Sequence, residues 1–339
     1  MKLLLTGGAG FIGSNFVHYL LKAHPDWEIF NLDKLTYAGN LENLKDVAGH
    51  PRYHFIHGDI AGAVLVERLF SDYRFDLVAN LAAESHVDRS IMDAAPFIDA
   101  NIKGTQVFLD AARRHGVRKF LQVSTDEVYG SLGFSDPPFM EETPLDPSSP
   151  YSASKASADL LARAYHRTHG LPVVISRCSN NYGPYQFPEK FIPTIITNVL
   201  ADKPVPIYGD GLNVRDWIYV EDHCRALDLI LTGGRPGEVY NIGARQERSN
   251  LDLARSILRI LDKPEDLLTF VKDRPGHDRR YAIEPAKIEK ELGWRPAASF
   301  DECLERTVRW YVDNRPWWER VKSGEYREFA KKWYGEEKF

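Results

Sequence analysis

The segment Gly7-Gly8-Ala9-Gly10-Phe11-Ile12-Gly13 limits what this chain can fold into more than any other feature. It follows a strand-like run, Lys2 to Thr6, and feeds a stretch of helical periodicity, Phe11 to Ala23. The spacing satisfies G-x-x-G-x-x-G and, counted from Gly8, G-x-G-x-x-G. Residues without Cβ atoms at such a turn let the backbone approach a pyrophosphate, whose charge the amides and the positive helix N-terminus then stabilise. Asp33 ends the second strand-like run twenty residues beyond Gly13, where an acid can hold ribose hydroxyls. The pattern predicts a dinucleotide site, and the carboxylate predicts NAD over NADP because it would repel a ribose phosphate.

Further strand-like runs lie at Glu28 to Leu32, Tyr53 to His57, Phe75 to Leu81, Lys119 to Val123 and Val173 to Arg177. Helical stretches such as Val64 to Phe70, Ile102 to Arg114 and Ser152 to His169 separate them. Parallel strands need crossovers, and the crossover helices bury both sheet faces, so the alternation predicts an α/β fold, a Rossmann-type doubly wound parallel sheet. Past about Tyr182 a series of prolines, from Pro184 to Pro206, breaks the rhythm before a late strand-like run at Val239 to Ile242. This predicts a dinucleotide-binding domain over 1–182 with a returning segment at about 220–245. A smaller α/β substrate-binding domain is expected over 183–219 and 246–320. The aromatic residues Trp310, Tyr311, Trp317, Trp318, Trp333 and Tyr334 read as packing.

Composition narrows the class. The 43 Lys plus Arg against 48 Asp plus Glu leave a net charge of −5, with no basic footprint for nucleic acid. A hydrophobic share of 43% excludes extended disorder. Cys178, Cys224 and Cys303 are odd in number and lack C-x-x-C spacing, which argues against a disulfide framework and for a reducing cytoplasm. The apolar start, Met1 to Leu5, is too short for a signal peptide, and no membrane span is expected.

After the third and fourth strands come His57-Gly58-Asp59-Ile60, expected at the adenine, and Leu81-Ala82-Ala83-Glu84-Ser85, expected along the cofactor, since open α/β sheets bind ligands at strand carboxyl ends. Tyr151 and Lys155 stand one helical turn apart on one face. The ammonium there is expected to lower the phenol's pKa and to hold a ribose, making Tyr151 a base. Tyr334 and Lys338 repeat the spacing and read as a surface pair. The fifth strand delivers Ser124-Thr125-Asp126-Glu127-Val128-Tyr129-Gly130 to the same sheet end, so the Thr125 hydroxyl can join the pair.

The glycine segment with Tyr151 to Lys155 resembles the extended short-chain dehydrogenase/reductase family, and within it the dTDP-glucose 4,6-dehydratases. The narrower resemblance rests on Asp33 to Asn40, Ala82 to Ser90, Ser124 to Gly130, Asn180 to Gln186, Arg215-Asp216-Trp217 and Arg274 to Tyr281, nearly the whole chain. It implies a lyase that binds NAD, oxidises a nucleotide sugar at C4, eliminates water across C5 and C6, and returns the hydride to C6. Tyr151 would take the C4 hydroxyl proton, Glu127 the C5 proton, and Asp126 would protonate the leaving C6 hydroxyl. The cofactor would rest on Gly7, Gly10, Phe11, Ile12, Gly13, Asp33, Lys34 and Thr36. Asp59, Ile60, Leu81, Ala82, Ala83, Ser85, Tyr151, Lys155 and Asn181 would complete its site.

For the substrate, the resemblance implies Ser85, Thr125 and Asn180 near the sugar, with Lys190 and Phe191 at the glycosyl diphosphate. Pro206, Ile207 and Tyr208 would frame the thymine, and Arg215, Asn250, Arg274 and His277 would bind phosphate and ribose, where Arg can grip oxygens bidentately. His86 and His277 lack metal-ligand spacing, so no metal is expected. The two helices at 102–114 and 152–169 are expected to pair across a two-fold axis in a homodimer. An epimerase or decarboxylase on the same scaffold, or a silent NAD-binding sensor, are the alternatives; Asp126 argues against the first, and Tyr151, Lys155, Asp126 and Glu127 together against the second.

Overall fold

The computed structural model describes residues 1–273 and 278–324. Apolar runs at the start of the chain become β1 (Lys2–Thr6), β2 (Glu28–Asp33), β3 (Tyr53–His57), β4 (Leu77–Asn80), β5 (Lys119–Thr125) and β6 (Val173–Cys178). Two residues later the chain enters β7 (Asn180–Tyr182), then β8 (Val205–Tyr208) and β9 (Val214–Tyr219), before β10 (Val239–Ile242). The last strands are β11 (Glu247–Ser249), β12 (Leu268–Val271) and β13 (Arg280–Tyr281). Among the described residues one seven-stranded sheet has the order β10-β6-β5-β4-β1-β2-β3, with every neighbouring pair parallel. The strand order reverses beside β1, and that switch point opens a crevice at the carboxyl ends.

Both faces of the sheet are covered, as its continuous apolar strands require: Leu3, Leu4 and Leu5 are all fully buried. The Phe11–Ala23 helix buries Phe16, Val17, Leu20 and Leu21 on one side. The Pro150–His169 helix starts two residues before the expected Ser152, because Ser149 and Ser152 form a capping box and Pro150 suits the first helical turn. It stops at Gly170, in the left-handed conformation with φ 67°. The expected Ile102 to Arg114 helix is longer and irregular. A turn at Ala95–Phe97 runs through a π-helical stretch, Ile98–Gly104, into the regular Thr105–His115 helix.

The smaller module pairs β9 with β7, β11 and β13, while β8 and β12 form a separate parallel pair. Its core joins Ile192, Ile195 and Ile196 to Trp217, Leu253 and Ile257, with Tyr311, Trp317 and Trp318 buried in the same cluster. Trp333, Tyr334 and Lys338 lie outside the described residues.

The expected division of the chain differs from these pairings at two places. Asn180 to Tyr182 leave the large sheet and pair with β9, so the crossing comes at Ser179 rather than after residue 182. The Ala286–Leu292 helix, expected in the smaller module, places Ile288, and after it Trp294, in the core beneath the large sheet, where the Trp294 indole donates to Asp222 O at 3.0 Å.

Candidate active site

The carboxyl ends of β1, β2, β4, β5 and β6 surround a cavity of about 630 Å³. Three glycines shape its floor in different ways. Gly7 has φ 72°, and a Cβ there would stand 2.8 Å from Ala82 backbone. A Cβ on Gly13 would stand 2.1 Å from Gly7 O, so the helix can lie this close to β1 only without one. Gly10, the cap of the Phe11–Ala23 helix, would meet nothing nearer than Gly7 O at 3.3 Å. Close approach of a ligand is therefore the work of Gly10, while Gly7 and Gly13 are required by the protein's own turn and packing.

Asp33 closes β2 with Oδ2 accepting from Ala9 N at 2.9 Å and Oδ1 from Leu35 N at 2.8 Å. Burial raises its pKa and the two amides oppose the rise, leaving the carboxyl fixed against the glycine turn. Lys34 and Asp59 form an ion pair at 2.7 Å beside it. Thr6 Oγ1 donates to Asn80 Oδ1 and accepts from Ala82 N, which orients the segment after β4. This donor set and the open approach at Gly10 suit a dinucleotide: amides for the diphosphate and a buried carboxylate for a ribose.

The residues expected to react line the same cavity. Asp126 and Glu127 open a 3₁₀ turn directly after β5, and Thr125 Oγ1 donates to Asp126 Oδ1 at 3.3 Å while accepting from Glu127 N. Asp126 is only 2% exposed. Burial pushes its pKa far above the usual carboxylate range, the charges of Glu127 and Asp216 push it further, and Arg215 opposes. Burial and the second carboxyl beside it thus both favour the protonated form of Asp126. Asp216, on β9, is itself raised to about 6 by burial.

Tyr151 and Lys155 line the same cavity, but not with the electrostatics expected of them. Burial holds the phenol's pKa well above its ordinary value, Glu127, Cys178 and Asp126 add to that, and a hydrogen bond with Thr125 opposes it. The Lys155 ammonium is turned to Val123 O at 2.6 Å on β5, and burial lowers its own pKa while Asp159 favours its charged form. The ammonium is thus directed at the β5 carbonyl, and burial rather than the lysine dominates the phenol's shift.

Two residues that sequence reasoning missed shape the walls. Asn101, in the π-helical stretch, accepts from Glu84 N at 2.9 Å and donates to Glu84 O and Ser154 Oγ, tying the segment after β4 to the helix of Tyr151. An amide among apolar neighbours in a helical stretch was the available signal. His223, fully buried with a pKa lowered to about 3, is neutral and donates from Nδ1 to Asn181 Oδ1 at 2.9 Å. Asn181 then directs Nδ2 to Ser179 O and Cys178 Sγ. A lone histidine in an apolar helix carries no such signal.

All the expected cofactor residues line the cavity, as do Ser85, Thr125, Asn180 and Lys190 of the expected substrate set. Phe191, Pro206, Ile207, Tyr208, Arg215 and Asn250 are not among its lining residues. Phe191 stacks on Trp217, residues 206–208 lie on β8, and Asn250 opens a helix. Arg215 donates to Asp278 O and covers the Tyr281 ring at 4.4 Å. Arg274 and His277 lie outside the described residues. His86 caps a helix and stands 3.7 Å from Glu189, and no cluster of His, Cys, Asp or Glu among the described residues could hold a metal ion.

The sequence profile of the family described as GDP-mannose 4,6 dehydratase matches residues 4–307. The chain belongs to that family. Among its relatives, a dTDP-glucose 4,6-dehydratase of Neisseria meningitidis is 52% identical, with 96% of this chain and 97% of the relative covered. One from Streptomyces antibioticus is 55% identical over 95% of this chain and 96% of its own. The crystal structure of a dTDP-glucose 4,6-dehydratase from Streptomyces venezuelae with NAD and TYD bound superposes with a TM-score of 0.91 at 52% identity, covering 95% of this chain and all of that one. A UDP-glucose 4-epimerase from Thermotoga maritima shares the architecture at 32% identity and a TM-score of 0.86, over 92% of this chain and 99% of its own.

Proposed function

We propose that this chain is an NAD-dependent dTDP-glucose 4,6-dehydratase, a hydro-lyase that forms the 4-keto-6-deoxy sugar and water. The observation that carries the reading is the buried Asp126, its pKa pushed upward, next to Glu127 in one cavity with Tyr151 and Lys155. An epimerase needs to move hydride at C4 only. A dehydratase must also remove the C5 proton and expel the C6 hydroxyl, which calls for a base and an acid side by side.

NAD, when bound, accepts and returns the hydride; its diphosphate is assigned to the turn at Gly7 to Gly13, its adenosine ribose to Asp33, and its remaining contacts to the cavity residues named above. Tyr151 receives the C4 hydroxyl proton as a tyrosinate, a form its buried phenol reaches only after releasing its own proton to solvent, with Thr125 hydrogen-bonded to the phenol. The C4 ketone makes the C5 proton acidic, and Glu127 removes it. Asp126 gives its proton to the C6 oxygen as the C–O bond breaks, so that water leaves rather than hydroxide. Burial of Asp126 raises its pKa and so favours the protonated form that this step needs.

The nucleotide diphosphate is assigned to the smaller module, with Lys190 and Arg215 as its cations. The division of the chain into cofactor and substrate domains follows from the same assignment. A homodimer is supported by the exposed Leu160, 55% exposed on one of the two helices expected at the two-fold axis, and by Ile98, 52% exposed in the π-helical stretch that leads into the other. Three buried free thiols support a reducing cytoplasm, and no helix among the described residues is long and apolar enough to cross a membrane. Incubation with dTDP-glucose deuterated at C4 tests the reaction: the product should carry the deuterium at C6 and a solvent hydrogen at C5. A C4-epimerised sugar with its C6 hydroxyl intact would refute it.

A further inference from the structure

Beneath the cavity lies a polar cluster that the proposed chemistry does not use. Arg177, next to Cys178 on β6, is 1% exposed, and Asp159, on the Pro150–His169 helix, is fully buried. Arg177 Nε donates to Asp159 Oδ2 and Nη1 to the Tyr129 hydroxyl, both at 2.9 Å, with the guanidinium 4.8 Å from the Tyr129 ring centre. The Tyr129 hydroxyl donates onward to Asn241 Oδ1 on β10 at 2.8 Å.

A buried ion pair is a weak source of stability, because desolvating both charges offsets most of their attraction. Here Arg177 Nη2 and Asp159 Oδ1 have no hydrogen-bond partner among the described residues, which adds to the cost. What the cluster supplies is geometry. Asp159 stands one helical turn beyond Lys155 and two beyond Tyr151, on the same face. Tyr129 ends the turn that Asp126 and Glu127 begin. One guanidinium therefore touches both the helix that carries the base and the turn that carries the two acids.

We propose that Arg177 is a positioning residue that holds the Asp126–Tyr129 turn in register with the Tyr151–Lys155 helix, through the Tyr129 hydroxyl on one side and the Asp159 carboxylate on the other. The inference rests on the 4,6-dehydration reading, in which the base acts at C4 and the acids at C5 and C6 of one sugar ring. A planar guanidinium fixes the angle between two partners, which a lysine ammonium does not.

Tyr129→Phe keeps the ring and its stacking on Phe139, centroids 5.0 Å apart, and removes only the hydroxyl. In single turnovers of dTDP-glucose, C4 oxidation is read as total 4-keto sugar and elimination as the 4-keto-6-deoxy product. Elimination should fall about tenfold or more, since small misplacements of an acting group are costly. C4 oxidation and KM should stay within about twofold. Arg177→Lys keeps a charge against Asp159 but loses the second contact, and should show the same split. The double variant should be no slower than the slower single one, because both changes cut one link. Equal slowing of both steps, full kcat with only a lower Tm, or effects that multiply in the double variant would overturn the proposal. Native enzyme in the same assay separates the two readings. Without native turnover of dTDP-glucose the reaction itself is refuted, whereas native turnover with no split in the variants refutes only the positioning.

Discussion

Replacing Asp126 by Asn isolates one proton. The amide has the carboxyl's shape, and its Oδ1 can still accept from Thr125 Oγ1, so the Asp126–Tyr129 turn should keep its place. What disappears is the acid whose protonated form burial, Glu127 and Asp216 favour. General acid catalysis contributes roughly two to four orders of magnitude. That corresponds to about 3–5 kcal/mol on the elimination barrier. C4 oxidation depends on Tyr151 and should continue, so a 4-keto, 6-hydroxy sugar should accumulate, seen by NMR in rapidly quenched single turnovers. Stability should move the other way. A carboxyl whose folded pKa lies above its unfolded value contributes stability below the unfolded pKa and loses it as pH rises through the folded one. Asp126→Asn removes that loss, so its Tm relative to the native protein should climb from acid to neutral pH in thermal melts. If oxidation and elimination slow equally, or the native protein keeps its advantage in Tm at every pH, Asp126 is not the buried acid described here.

Asp33→Ala should bring the affinities for NAD and NADP together, measured by titration calorimetry, and should cost about 1–3 kcal/mol of stability by orphaning the amides of Ala9 and Leu35; an unchanged preference would refute its role. Gly13→Ala places a methyl 2.1 Å from Gly7 O, so bound NAD and Tm should both fall, while Gly10→Ala should lose cofactor with little change in Tm. For the association state, light scattering at micromolar concentration should show a dimer for the native chain and a monomer for Leu160→Glu; a native monomer would remove the claim.

Strand and helix positions were largely legible in the sequence, because burial on both sheet faces and on one helix face writes itself as apolar runs and 3.6-residue periodicity. The glycine turn, Asp33 and the Tyr151–Lys155 spacing are local in the same sense: each needs only one strand, one turn or one helix to be correct. Boundaries were less legible where packing overrides propensity. Asn180 to Tyr182 changes sheet because β9 offers the partner, and the Ala286–Leu292 helix returns to the large sheet because Ile288 and Trp294 fill its core.

Residue type and spacing did not show the protonation pattern; only the family resemblance implied Asp126 as the acid and Glu127 as the base. Asp126 and Glu127 are adjacent in the chain, but which one keeps its proton depends on depth of burial and on Asp216 and Arg215, which β9 brings from some ninety residues away. Lys155 follows Tyr151 by one turn, yet its ammonium faces Val123 O, and the phenol is governed by burial and the carboxyls around it. Asn101 and His223 acquire their roles only when Glu84 and Asn181 are placed against them. Residue type and spacing set which groups can react, since those are properties of short segments; desolvation and charge act through space, so the state in which each group waits is decided by the packed fold.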